Sequence, residues 1–336
     1  MKEKLVFTIK EFAQKFERNE IYAFRLSKPI KILIIIISLL AIYINDINFK
    51  FNKYLMIFNQ QKKNTIKICM CSICRKENLY IEEFINHYKK LGYNHIFLYD
   101  NNNLDEEKIG DAIPKNEINN GFVSIINFRG KNPAILEAYR DCYEKYNKVY
   151  DWLSFYDIDE HLEIKLNNTH TIQNFFNDQR FKICKVIKIN WFAYNDNNRL
   201  YYEKKSLKER FTEGTKYLYE NRHVKVSVRG NLSYNYWFRA KNAHSSFANF
   251  STCSSSGKSA NPYGYFIFPA DYEGAILHHY GVKTIEEYCN KVKERVGLTK
   301  LNYRQLYWRF FFFFQINQKT KEKVDYFNKK FTTNFN

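Results

Sequence analysis

The sequence predicts an α/β fold: a mostly parallel central sheet with helices on both faces. Three observations predict it. Strand-like and helix-like stretches alternate from Ile66 onward, the pattern of successive βαβ units. Two strand-like stretches, 95–100 and 152–157, are largely apolar until they end in a carboxylate, at Asp100 and Asp157, and open α/β sheets bind ligands at such carboxyl ends. The chain is 336 residues long and 45% hydrophobic, enough to build a sizeable core.

Taken in order, residues 67–74 read as the first strand. Residues 78–91 place Leu79, Phe84, Tyr88 and Leu91 near one helical face, and Gly92 is a suitable C-cap. Strands follow at 95–100 and 121–128, a helix at 133–147 and a strand at 152–157. Farther on, 185–192 and 223–228 are strand-like, 240–262 is a Ser- and Asn-rich loop, and 284–296 is a helix. There Thr284 and Glu287 have the spacing of a capping box. The aromatic run 307–314 is core, subunit contact or membrane contact; all three stay open.

The chain carries a net charge of +18, concentrated at its ends. Residues 1–67 hold 13 Lys/Arg against 5 Asp/Glu and residues 291–336 hold 11 against 3, while the middle has 29 against 27. Basic ends beside apolar segments suit an anionic membrane surface. No helix-turn-helix, zinc-finger or RNA-binding signature supports nucleic acid as the partner. Residues 32–44 are apolar apart from Ser38, shorter than the roughly 20 residues that span a bilayer. A short or tilted anchor, an interfacial segment and a buried helix all stay open. The expected division is a basic N-terminal region and linker (1–65), a central domain (66–300) and an aromatic, basic C-terminal region (301–336).

Cys69, Cys71 and Cys74 form C-x-C-x-x-C, with no second cysteine pair at a spacing that would complete a zinc site. They are expected to be buried free thiols, which favour a reducing compartment. The protein is therefore expected at a membrane with its central domain on the cytoplasmic side.

The sharpest chemical signal is Asp157-Ile158-Asp159. In a strand, residues i and i+2 share a face, and two same-face carboxylates at a strand end suit a hard cation such as Mg²⁺ or Mn²⁺. Four blocks, in order, then carry a resemblance: Arg75 and Glu77 with Glu82-Glu83, His87, Leu91-Gly92, His95 and Tyr99-Asp100-Asn101; Phe155 to Glu160; His223 to Arg229; and His278-His279-Tyr280 with Lys283 to Glu287. Together they resemble glycosyltransferase family 92 and related family-2-like enzymes. That resemblance implies a GT-A (Rossmann-like) fold and transfer of a sugar from a nucleotide-sugar donor; the basic, apolar ends and fold-level analogy add the expectation of a glycan or glycolipid acceptor in cell-surface glycan synthesis. The resemblance implies that Arg75, Glu77, Asp100 and Asp157 face the donor, and that Asp157, Asp159 and His279 hold Mn²⁺ or Mg²⁺, with His278 an alternative ligand. Family similarity also favours inversion.

No block matches an acidic base. Asp271 and Glu273 are the candidates, with Asp196 and Glu213 as further ones, and His244 is a candidate acceptor-pocket residue. A binding protein that has lost activity and a nucleotidyltransferase are the alternatives. The latter would release pyrophosphate in place of a nucleoside diphosphate.

Overall fold

The computed structural model describes residues 43, 47, 66–132, 134–166, 171–215, 218–232, 251–262, 264–296 and 303–331. The apolar run 32–44, the linker and His244 lie outside these, apart from isolated helical positions at Tyr43 and Ile47.

The strands are β1 (Ile68–Cys74), β2 (His95–Asp100), β3 (Val123–Asn127), β4 (Trp152–Phe155), β5 (Glu160–Ile164), β6 (Val186–Ala193), β7 (Val224–Arg229), β8 (Thr252–Ser254) and β9 (Ala275–His279). They form one curled sheet in the order β3-β2-β1-β4-β7-β6-β9-β5, with β8 beside β6. The β3-β2-β1-β4 half is parallel. β7 is antiparallel to both its neighbours, β9 runs parallel to β6, and β5 is antiparallel to β9. This is the expected architecture, a mostly parallel sheet, with an antiparallel stretch that sequence reading did not supply.

Alternation along β1 builds the two faces. Ile68 and Met70 join one core with α1 (Ile81–Leu91), whose Ile81, Phe84, Ile85 and Tyr88 are buried. Cys69 and Cys71 join a second core with α3 (Ile135–Tyr146), through Ala138, Tyr139, Cys142 and Tyr143. Between these helices lies the short α2 (Lys115–Asn119). Gly92 ends α1 at φ 91°, where a Cβ would strain the backbone and press within 2.9 Å of Gln173. Leu79 is 65% exposed: the helix starts at Ile81, so Leu79 precedes the face it was expected to join.

Four further short or peripheral helices follow: α4 (Ile172–Phe176), α5 (Leu207–Arg210), α6 (Leu218–Asn221) and α7 (Ile285–Val296). Thr284 and Glu287 form the expected contacts at the start of α7, the Glu287 amide donating to the Thr284 hydroxyl and the Thr284 amide and hydroxyl donating back to the Glu287 carboxylate. Glu287 also anchors Arg210 at 2.8 Å and accepts from the Tyr80 hydroxyl, tying α7 to α5 and to the entry of α1. The aromatic run falls in α8 (Tyr303–Ile316), and α9 (Lys321–Phe331) follows. Phe313 and Ile316 pack with Ile285, Tyr288, Cys289 and Phe327 in a third core. Tyr307, Trp308 and Phe311 face outward. The run is thus core on one side and exposed on the other. No described helix is long and apolar enough to cross a membrane.

The cysteine expectation needs correction. Cys71 is bonded to Cys142 and Cys184 to Cys253; only Cys69, Cys74 and Cys289 are free, all buried. The partners of Cys71 and Cys184 lie about seventy residues away in the chain. Sheet alternation turns Cys69 and Cys71 toward α3 and Cys74 to the opposite core, and of the first two it is Cys71 that meets Cys142. Since disulfides persist in oxidising compartments, the thiol argument for a reducing one falls.

Candidate functional site

The parallel strands bring the carboxyl ends of β1, β2 and β4 to one edge, where the sequence placed its acidic residues. The Cys74 thiol at the end of β1 is pushed up by burial and then by the charges of Glu77, Asp100 and Asp157, so the three carboxylates share this rim. Asp100 is engaged within the protein. Its carboxylate pairs with Arg129 at 3.0 Å and accepts from the Asn102 amide, the Asn102 side chain and the Ile109 amide. Arg129 also donates to the backbone carbonyls of Asn103, Leu104, Glu106 and Glu107. Arg75 pairs with Glu106 at 3.4 Å, and Glu77 is buried. This end of the rim is a braced loop.

β4 stops at Phe155, so the acidic step lies in the turn before β5, closed by the Glu160 amide donating to the Asp157 carbonyl. The strand geometry expected to point Asp157 and Asp159 the same way therefore does not apply. Asp157 is the more exposed, and its carboxylate lies 2.8 Å from Lys225 Nζ and 3.3 Å from the Tyr139 hydroxyl. Lys225 is buried between Asp157 and Glu160. Burial would lower its pKa, but the two carboxylates outweigh burial and hold it above the ordinary lysine value. Burial pushes the Glu160 carboxyl up.

Asp159 is buried and faces the β5–β9 ladder. Glu160 pairs with His279 in register, and the Tyr280 amide donates to the Asp159 carbonyl. This sets His279 Nε2 3.9 Å from Asp159 Oδ1, while Lys291 and Lys283 lie 3.0 and 3.4 Å from Oδ2. The His279 ring stacks on Trp191 at 3.9 Å, and a Cβ on Gly281 would come within 2.5 Å of it, so a glycine is needed where the chain passes the ring. Burial lowers the His279 pKa to about 4, leaving the imidazole neutral near pH 7. His278, one residue away on the other face of β9, has both ring nitrogens engaged, with the Tyr194 hydroxyl at 2.8 Å and Glu163 at 2.6 Å.

The donor set fits a divalent cation in part. Two atoms bound to one Mg²⁺ at about 2.1 Å each sit at most about 4.2 Å apart, and the Asp159–His279 gap falls within that. Among the described residues no three His, Cys, Asp or Glu side chains form a ligand group. The structure thus brings Asp159 and His279 together and turns Asp157 toward Lys225.

Beside this pair opens a cavity of about 500 Å³ between β6, β9, α6, α7 and α8. Trp191, Glu220, His223, His279, Lys291 and Arg309 bring its polar groups and aromatic floor; Val282, Phe312 and Ile316 are among its apolar walls. Neither Asp271 nor Glu273 lines it. The Asp271 carboxylate accepts from the Ser254 and Ser256 hydroxyls and the amides of Ser256 and Glu273. Burial would raise its pKa, but the serine hydrogen bonds outweigh burial and hold it below the usual value. Glu273 is exposed and pairs with Lys258. Asp196 is bound to Lys323 at 2.6 Å, and Glu213 is exposed. Lys225, Lys291, Arg129 and Glu220 were missed. Only Lys225 sits in a quoted block, and no local pattern marks the other three.

The α/β sheet thus carries an acidic turn at its strand ends and a histidine brought in from a later strand. The sequence profile of glycosyltransferase family 92 matches residues 64–333, and the chain belongs to that family. The match runs through α8 and α9, beyond the four blocks that carry the resemblance. No curated protein matches the sequence. Solved structures similar to the chain include GalNAc-T7 with UDP, GalNAc and Mn²⁺ (14% identity, 41% of this chain and 26% of that one, TM-score 0.27). Another is the mannosyltransferase PcManGT from Pyrobaculum calidifontis with GDP-Man and Mn²⁺ (9% identity, 46% of each chain, TM-score 0.30). The chain thus spans about a quarter and about half of their lengths.

Proposed function

We propose that the protein transfers a sugar, with inversion, from a nucleoside-diphosphate sugar to a glycan or lipid-linked acceptor. The observation that carries this reading is the buried Asp159 carboxylate opposite a neutral His279 at the edge of the cavity. Asp159 and His279 would hold Mn²⁺ or Mg²⁺, with Asp157 beside them. Such a cation, when bound, supplies Lewis-acid stabilisation of a diphosphate leaving group. The chain's own contribution is electrostatic and geometric. Lys283 and Lys291 balance the Asp159 charge and add positive potential where the leaving group's negative charge develops. Arg75 and Glu77 sit on the rim against the donor, and Arg129 holds the Asp100 loop in shape. Trp191 and Gly281 fix the His279 ring.

The test is a thermal-shift panel of UDP- and GDP-sugars with and without Mn²⁺, followed by product analysis. A metal-dependent rise in melting temperature with one donor, and release of nucleoside diphosphate, is the expected result. Release of pyrophosphate, or no shift with any donor, overturns the reading.

By the same proposal, the protein sits at an anionic membrane surface, in keeping with cell-surface glycan synthesis. The support is the basic ends of the chain and the outward aromatic face of α8, since Trp and Tyr favour membrane interfaces. Sedimentation with phosphatidylserine vesicles but not with phosphatidylcholine vesicles is expected; equal recovery with both counts against it. The two disulfides favour an oxidising compartment in place of the cytoplasm expected from the thiols.

A further inference from the structure

Sequence reading left the acceptor half of the reaction without a base. The cavity beside Asp159 and His279 is lined by one carboxylate among the described residues, that of Glu220. Glu220 sits on α6, which packs against β6, and is 8% exposed. The other acidic candidates are engaged elsewhere: Asp157 with Lys225, Asp196 with Lys323, Asp271 with the serines and Glu273 with Lys258.

We propose that Glu220 is the general base for the acceptor. Its carboxylate takes the proton of the acceptor hydroxyl as that oxygen bonds to the anomeric carbon of the sugar. The bond from that carbon to the diphosphate oxygen breaks, and its electron pair leaves with the nucleoside diphosphate. The proposal rests on the inverting reading above, because a retaining transfer needs no such base.

The surroundings suit the role. Trp191 stacks on the His279 ring at 3.9 Å and on the His223 ring at 5.0 Å, so an aromatic floor runs from the Asp159–His279 pair toward Glu220. His223 Nδ1 lies 3.6 Å from the Glu220 carboxylate. The other charged or titratable groups on the cavity wall are Tyr194, which follows β6, Tyr265, His279 of β9, Tyr288 and Lys291 of α7, and Arg309 of α8, and Arg222 adjoins on the chain. Burial raises the Glu220 carboxyl pKa to about 7, near the value at which a base balances strength against availability at neutral pH. A carboxylate buried merely to pack beside His223 would account for the contact but not for its place on the cavity wall with His279.

The experiment compares the full chain with Glu220→Gln and Glu220→Asp, using UDP- and GDP-sugars as donor probes and methyl glycosides as acceptor probes. Readouts are melting temperature, steady-state kinetics, and NMR of the product's anomeric configuration. The expected result is an inverted product from the unmodified chain. E220Q should melt normally and hold its donor KM, with kcat down about 10²- to 10⁴-fold. The acid limb of its kcat/KM profile, at about pH 7 in the unmodified chain, should be gone, and E220D should recover part of the rate. An inverted product with E220Q within about threefold of the unmodified kcat overturns the Glu220 assignment alone. A retained configuration overturns the inverting reading, and the base with it.

Discussion

The two ends of the acidic rim use their charges differently. At the β1–β2 end, Asp100 is bound by Arg129, Asn102 and the Ile109 amide, and Arg75 by Glu106. At the β5–β9 end, Asp159 is paired through Oδ2 with Lys291 at 3.0 Å and Lys283 at 3.4 Å, and its Oδ1 faces a neutral imidazole across 3.9 Å beside a cavity. Both regions are acidic residues at strand ends and look alike in sequence. The difference teaches that a carboxylate whose two oxygens are both bound within one loop braces that loop, while one with an oxygen set opposite an uncharged ligand nitrogen can take a cation there.

Breaking the cavity end should cost the most activity. Asp159→Asn is expected to lower transfer by about 10³-fold and to abolish the Mn²⁺-dependent thermal shift, on the order of the loss when one strong electrostatic contact to a transition state is removed. Equal Mn²⁺ shifts in variant and parent would dissolve the contrast between the two ends. Breaking the braced end should act on stability instead. Arg129→Met leaves Asp100 buried without its cation and strips several backbone carbonyls of their donor. Urea unfolding should show a loss of about 3–5 kcal/mol, with the donor KM of the surviving native fraction changed far less than stability.

Acid should sharpen the comparison further. Burial lowers both His87 and His279 from the usual 6.5 to about 4. Between these values the unfolded chain binds more protons than the native one. Their contribution is therefore complete above about pH 6.5 and is lost as pH falls toward 4, by up to about 1.4 kcal/mol per unit for each histidine. Denaturation midpoints measured from pH 7 to 4 check this; a flat profile contradicts it. The smallest effect is expected at Glu273. Its exposed pair with Lys258 should be worth less than about 1 kcal/mol, and Glu273→Gln should leave kcat within about twofold.

Much of the fold was legible because it is written in local periodicity. β2 was read at its observed bounds, β1, β6 and β7 to within a residue or so, and the Thr284–Glu287 helix start and Gly92 cap as found. β5 and β9 were not read: their five-residue stretches carry Glu and His among apolar residues, so alternation is obscured. The strand placement expected for Asp157 and Asp159 was not found, for a related reason. β4 ends two residues earlier than its apolar run suggested, and a turn does not keep the two-residue period of a strand.

By itself, the sequence determined the α/β class, most elements of the parallel half, the acidic step and its kinship to family 92, because periodicity, capping and motif spacing are local properties. The tertiary structure decided which carboxylates are saturated and which face the cavity. It also decided that Cys71 and Cys184 find Cys142 and Cys253, that Lys283 and Lys291 meet at Asp159, and that Glu220 lines the same cavity as His279. These residues come from separate elements. Their meeting depends on strand order and register, which arise only when the whole sheet closes.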